Sequence, residues 1–304
     1  MKKGEVLMSA STMKTKGEKG FDVFNVILMC LLIILFLYPI LNVLAISLSS
    51  SFPVQRGEVT FYPIHITGKA YHNIFNNQHI WRSYANTIYV AVIGCVLGII
   101  FSTAAAYPLA FGDFYGKKPY AFMILFTMWF GGGMIPSYLV MRNLKLLNTH
   151  WALILSSLAP AYYIIILRSF FQSIPISLIE SARLDGANDV VCMTRIVIPV
   201  SKPVLATVAL WFIVGHWNSF LLPLMYLNDT DKYTLQVVLH DIVLQASGKL
   251  YEVEAAVHAG EGSMVIPQQV QNAVIFVSLI PMLIIYPFLQ RYFVKGIFIG
   301  SIKA

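Results

Sequence analysis

The sequence predicts an all-α, polytopic membrane protein with six transmembrane helices. Of its 304 residues 58% are hydrophobic and only 12% charged, against roughly 25% charged in an ordinary soluble domain. Six long apolar runs contain no Asp, Glu, Lys or Arg, so lipid is the solvent for much of the chain. The loops carry the third signal. With the N-terminus inside, 14 Lys and Arg fall on the inner side and 7 on the outer, and the positive-inside rule places both termini and the second inner loop, 168–202, in the cytoplasm.

Residues 1–22 read as a polar cytoplasmic tail bearing Lys2, Lys3, Lys14, Lys16 and Lys19, and residues 23–304 as one transmembrane domain. The first span, Phe24 to Leu48 with a kink expected at Pro39, is much longer than the roughly 7–15 apolar residues of a cleaved signal, so it reads as a retained anchor. An outer segment, 49–85, is punctuated by Pro53, Gly57, Pro63 and Gly68. Span two, Asn86 to Phe111, carries Gly94, Gly98, Ser102 and Ala104 to Ala106, at spacings that let another helix approach closely.

A short basic loop with Lys117 and Lys118 leads to span three, Tyr120 to Met141, interrupted by Gly131 to Gly133 and Pro136. That interruption reads either as unwound backbone lining a cavity or as close helix packing before a turn. Span four, Trp151 to Leu167 with Pro160, is near the lower length for crossing a bilayer. Span five runs from Pro203 to Leu227. A second outer segment, 228–268, whose Glu252, Glu254 and Glu261 offer a landing surface for an extracytoplasmic protein, precedes span six, Gln269 to Leu289.

Several functions are excluded or weakened. The net charge of +7 is spread over flanks and loops and forms no nucleic-acid footprint. Cys30, Cys95 and Cys192 are too few and too scattered for a disulfide framework or a metal site. No nucleophile and base pair stands out, and the lack of ionisable residues within the spans speaks against a membrane enzyme. Spans free of ionisable groups also speak against an ion-coupled carrier, so energy enters from elsewhere.

The polar inner segment 168–202 is the informative one. Ser173 to Pro175 reads as a helix start with a Ser cap. The helix ends at Gly186, Asn188 or Asp189 caps a second short helix, and Pro199 closes it. Glu180, Ala182, Gly186, Ile196 and Pro199, with nine residues between Gly186 and Ile196, resemble the shared cytoplasmic loop of binding-protein-dependent ABC importer permeases. That loop reads Glu-Ala-Ala, three residues, Gly, nine residues, Ile, one residue, Leu-Pro. Ser181 and Ile198 depart from it by small changes in volume. Asp185-Gly186-Ala187, Ile174-Pro175, Ser201-Lys202-Pro203 and His216-Trp217-Asn218 look like the carbohydrate branch of that family, and the resemblance runs from about Phe24 to the end of the chain.

The resemblance implies the type I importer fold and a non-catalytic subunit of a bacterial inner membrane. It also implies a second, homologous permease, two ATPase subunits that hold ATP and magnesium, and an extracytoplasmic sugar-binding protein. Glu180, Ala182, Asp185, Gly186, Ala187, Ile196 and Pro199 would form the coupling element that docks on an ATPase. In agreement, the chain lacks a Gly-x-x-x-x-Gly-Lys-Ser/Thr phosphate loop. His216, Trp217 and Asn218 lie about 20 Å into span five. Together with Tyr162 and Tyr163 they either line a saccharide path, by stacking and hydrogen bonding, or join helices.

Overall fold

The computed structural model describes residues 16–244 and 266–301. Among them there is helix, turn and loop but no strand. Seventeen elements follow in order, beginning with α1 (Lys16–Leu48), α2 (Ser51–Gln55), α3 (Lys69–Phe75) and α4 (Gln78–Phe111). Next come α5 (Lys117–Trp129), α6 (Met134–Asn143), α7 (His150–Ser156), α8 (Ala161–Gln172) and α9 (Ile176–Leu184). One continuous winding, Asp189–Val200, has α-helical ends α10 (Asp189–Val191) and α11 (Ile198–Val200) around a π-helical middle, Cys192–Val197. The chain continues through α12 (Lys202–Trp217), α13 (Leu221–Tyr226), a 3₁₀ turn at Thr230–Lys232, α14 (Leu235–Leu244) and α15 (Pro267–Ser301).

Three helices are long and apolar enough to cross a membrane unaided: Gly17–Leu48, Gln78–Phe111 and Pro267–Pro287. Among the described residues the number rises to as many as six if each of three bent pairs is taken as one span, with bends of 115° between α5 and α6, 48° between α7 and α8, and 85° between Asp189–Val200 and α12. The side chains of α1 are almost all exposed and apolar, for example Phe24, Ile27, Leu31 and Ile34, as a lipid-facing helix requires.

Helix α4 is central, packing on α8 and α12, while α1 and α12 pack on α15. One core cluster gathers Tyr107 and Leu109 of α4, Leu167 and Phe171 of α8, Ile179 of α9, Cys192, Val197 and Phe212. A second gathers Ile74, Tyr84, Trp217, Leu235, Ala273 and Val274. Tyr84 and Tyr107 lie 23 positions apart on α4, or about 35 Å at 1.5 Å per residue, so the two clusters occupy opposite ends of the bundle.

The sequence boundaries need five corrections. Span two begins at Gln78 and not at Asn86, because the Asn77 side chain accepts the His79 amide at 3.0 Å and caps the helix. Span four continues to Gln172. Arg168 does not end it, since a long cationic side chain can lie along a helix and reach outward. Span five breaks after Trp217, where Pro223 lacks a donor and its ring excludes the carbonyl four residues earlier. Ser173 caps the C-terminal end of α8, donating to the Phe170 carbonyl at 2.7 Å, and α9 starts after Pro175. Pro199 does not close its helix, which runs on to Val200 before Ser201.

Span three is interrupted as expected, with Gly133 at φ +82°. A Cβ on Gly131 would meet nothing and one on Gly132 only Pro136, so unwound backbone is observed there and close helix packing is not. Lys16 to Asp22, read as tail, are already helical. Lys2, Lys3, Lys14, Lys249, Glu252, Glu254, Glu261 and Lys303 lie outside the described residues.

Candidate functional site

The loop from Ile176 to Val200 folds as a two-faced unit. Its turn is a Schellman motif: the Gly186 amide donates to the Arg183 carbonyl at 3.0 Å and the Ala187 amide to the Ala182 carbonyl at 2.9 Å. Gly186 takes φ +86° with open space around its missing Cβ, so a left-handed backbone, and not crowding, demands glycine. Asn188 then caps the next helix, accepting the Val191 amide at 2.9 Å.

One face of the unit is core. Ile179, Cys192 and Val197 are fully buried, with Ala182, Ala187 and Ile196 packed against the same cluster. In an α-helix residues 192 and 197 would sit about 140° apart. The i to i+5 winding between them swings both onto the buried face. The other face is exposed and carries Glu180, Asp185, Gly186 and Pro199 among the apolar side chains Ile176, Leu178, Leu184 and Val190, Leu184 being 90% exposed. Of the seven residues expected to couple, three thus turn inward and four outward.

Arg183 of α9 donates to Asp189 Oδ1 at 2.8 Å, and the Tyr107 hydroxyl of α4 reaches the same oxygen at 3.3 Å. The guanidinium's hydrogen bond holds the Asp189 carboxyl below the usual carboxylate range.

A second feature lies at the break in span five. A cavity of about 170 Å³ is lined by Tyr163, Trp211, Gly215, His216, Ser219 and Thr234, among others. Trp211 forms a three-ring cluster with two tyrosines, its centroid 5.7 Å from Tyr162 and 5.6 Å from Tyr163, which are themselves 6.1 Å apart. Rings and hydroxyls of this kind stack on sugar faces and bond their hydroxyls. His216 is buried, and its Nε2 has no hydrogen-bond partner because it faces the backbone at Gly94.

Trp217 points the other way, into the second core cluster, 5.8 Å from the Tyr84 ring in an edge-to-face contact. Asn218 is exposed and its amide caps α12. The structure therefore brings together His216, Tyr163 and Tyr162 and leaves out Trp217 and Asn218. Sequence reasoning missed Trp211, although a period of 3.6 puts Trp211, Gly215 and Ser219 on one face and Trp217 off it. Among the described residues no group of three His, Cys, Asp or Glu side chains could hold a metal.

A family profile described as binding-protein-dependent transport system inner membrane component matches residues 96–299. The chain belongs to this family. As a permease component of an ABC transport system it is a non-catalytic membrane subunit. It is 40% identical over 265 residues to the polygalacturonan/rhamnogalacturonan transport system permease protein YtcP of Bacillus subtilis, covering 87% of this chain and 92% of the relative. With Protein LplC of the same organism it shares 37% over 290 residues, covering 95% and 97%. Its fold matches a chain of a bacterial ABC transporter involved in importing the acidic polysaccharide alginate, with a TM-score of 0.84, 34% identity and coverage of 92% and 99%. A further chain, from an alginate transporter in complex with its pentasaccharide-bound periplasmic protein, has a TM-score of 0.58 at 12% identity and shares the fold.

Proposed function

We propose that this permease component forms half of a path for an oligosaccharide, paired with a second homologous permease. Two ATPase subunits, carrying ATP and magnesium, dock on Ile176–Val200, and an extracytoplasmic binding protein delivers the saccharide at the opposite end. The observation that carries this reading is the two-faced loop. Its inner face is welded to the bundle, while its outer face presents the Glu180 carboxylate beside exposed apolar side chains, which is how a partner surface is built. Charge counting puts that end, and both termini, in the cytoplasm.

The aromatic cavity at Trp211 supplies a saccharide-facing wall of the path. An acidic oligosaccharide is the first cargo to test, because the relatives include a polygalacturonan/rhamnogalacturonan permease and an alginate importer.

The test is co-purification followed by transport. Gently solubilised permease is expected to bring down ATPase subunits. Proteoliposomes of the complex with its binding protein are expected to take up uronic-acid oligosaccharides only with ATP on the docking side. Isolation of the permease without any ATPase subunit would overturn the docking role, and uptake confined to neutral oligosaccharides would overturn the acidic cargo.

A further inference from the structure

We infer that Asp189 is a positioning residue that ties the docking loop to the second span, so that a tilt of α4 and a movement of the docked loop are one motion. The inference rests on the docking role proposed above and names the contact that transmits it.

Three elements meet at one carboxylate oxygen. Arg183 reaches Asp189 Oδ1 from the last turn of α9, at 2.8 Å. Tyr107 reaches it from α4, at 3.3 Å and 82 positions away in sequence. Asp189 itself opens the π-containing winding, in the first turn behind the Asn188 cap. Apolar packing alone lets surfaces slide. A carboxylate taking two directed, charge-assisted hydrogen bonds, one of them from a guanidinium, fixes an angle.

The surroundings make this contact the polar link between docking loop and span. The exposed face of α9 holds Glu180, free for a partner, while its buried face meets the core through apolar Ile179. On the α10 side the buried contacts are Cys192 and Val197, also without a hydrogen bond to α4. Tyr107 is buried at 6% exposure, so its hydroxyl has a fixed position from which to hold Asp189. The π winding places the remaining contacts: by turning both Cys192 and Val197 inward it keeps the start of the helix, and Asp189 with it, against α4.

The experiment uses the assembled importer in proteoliposomes and measures uronic-acid oligosaccharide moved per ATP hydrolysed for wild type, Tyr107→Phe, Asp189→Asn and the double variant. That ratio is expected to fall about fivefold in each single variant, a hydrogen bond's net worth of roughly 1 kcal/mol read as a rate ratio. The double variant is expected to be no worse than the poorer single one, because both changes remove the same link. The charge exchange Arg183→Asp with Asp189→Arg is expected to recover part of the ratio.

Unchanged ratios in both single variants, or effects that multiply in the double variant, would overturn the inference. Tyr107→Phe deletes a single hydroxyl and carries the test if Asp189→Asn fails to assemble. Wild-type importer that shows no ATP-driven transport would instead count against the docking role itself.

Discussion

Replacing Gly94 by alanine tests the packing at the centre of the molecule. An ideal Cβ at this position would lie 2.3 Å from His216 Nε2, 2.8 Å from its Cε1 and 2.9 Å from its Cδ2. The imidazole must withdraw by about 1 Å to regain ordinary contact near 3.5 Å. Forcing a methyl into a filled core costs about 1–3 kcal/mol, and the better helix propensity of alanine returns about 1 kcal/mol at most. The net expectation is a destabilisation of up to about 2 kcal/mol, with the ring pushed into the adjoining cavity.

The assay is thermal unfolding of the purified complex together with transport, for Gly94→Ala in the wild-type and His216→Ala backgrounds. In the first background stability and transport both fall. In the second the obstacle is absent, so the same substitution becomes neutral or stabilising. An equal effect in both backgrounds would refute the reasoning, since it would show that the imidazole is not what excludes the methyl.

Three further outcomes are expected. Gly186→Ala places a side chain on a left-handed backbone at φ +86°, a strain of about 1–2 kcal/mol; substrate-stimulated ATP hydrolysis should drop several-fold while the bundle's unfolding temperature falls by only a few degrees. Trp211→Ala should raise the half-saturating substrate concentration with little loss of stability, whereas Trp217→Ala should cost about 3–5 kcal/mol and reduce the amount of folded protein; a comparison of transport kinetics with yield separates them. The folded pKa of Asp189 is depressed, so its contribution is complete above the ordinary aspartate value of about 3.9 and is lost as pH falls through the lower folded value. The stability difference between wild type and Asp189→Asn should therefore be flat from pH 8 to about 5.

The membrane class, the broken third span and the turn at Gly186 were legible because each depends on local composition or on one residue's backbone freedom. The break after Trp217 was encoded too, in Pro223, but apolar composition masked it. Ser173 was misassigned because a Ser beside a Pro suits the end of one helix as well as the start of the next. Trp217 was placed in the cavity by adjacency to His216, although neighbours in a helix point about 100° apart. The meeting of Tyr107 with Asp189 is a product of tertiary packing, and no pattern within a window of 20 residues announces it.

The close approaches at Gly94 and Gly98 were expected from spacing, and their partners, His216 and Phe212, emerged only when α12 was laid against α4.

The 34 residues of α4 make a rod of about 50 Å, longer than the roughly 30 Å hydrocarbon layer. Asn86 near one end donates to the carbonyls of Asp231 and Tyr233, Gly94 seats the His216 ring, and Tyr107 near the other end holds Asp189. These engagements share one screw register. A single residue inserted between Gly98 and Tyr107 would rotate the lower end by about 100° and shift it by about 1.5 Å, leaving the upper fittings in place. The helix therefore acts as a keyed shaft, tolerant of exchanges along its lipid side and intolerant of any change in its length.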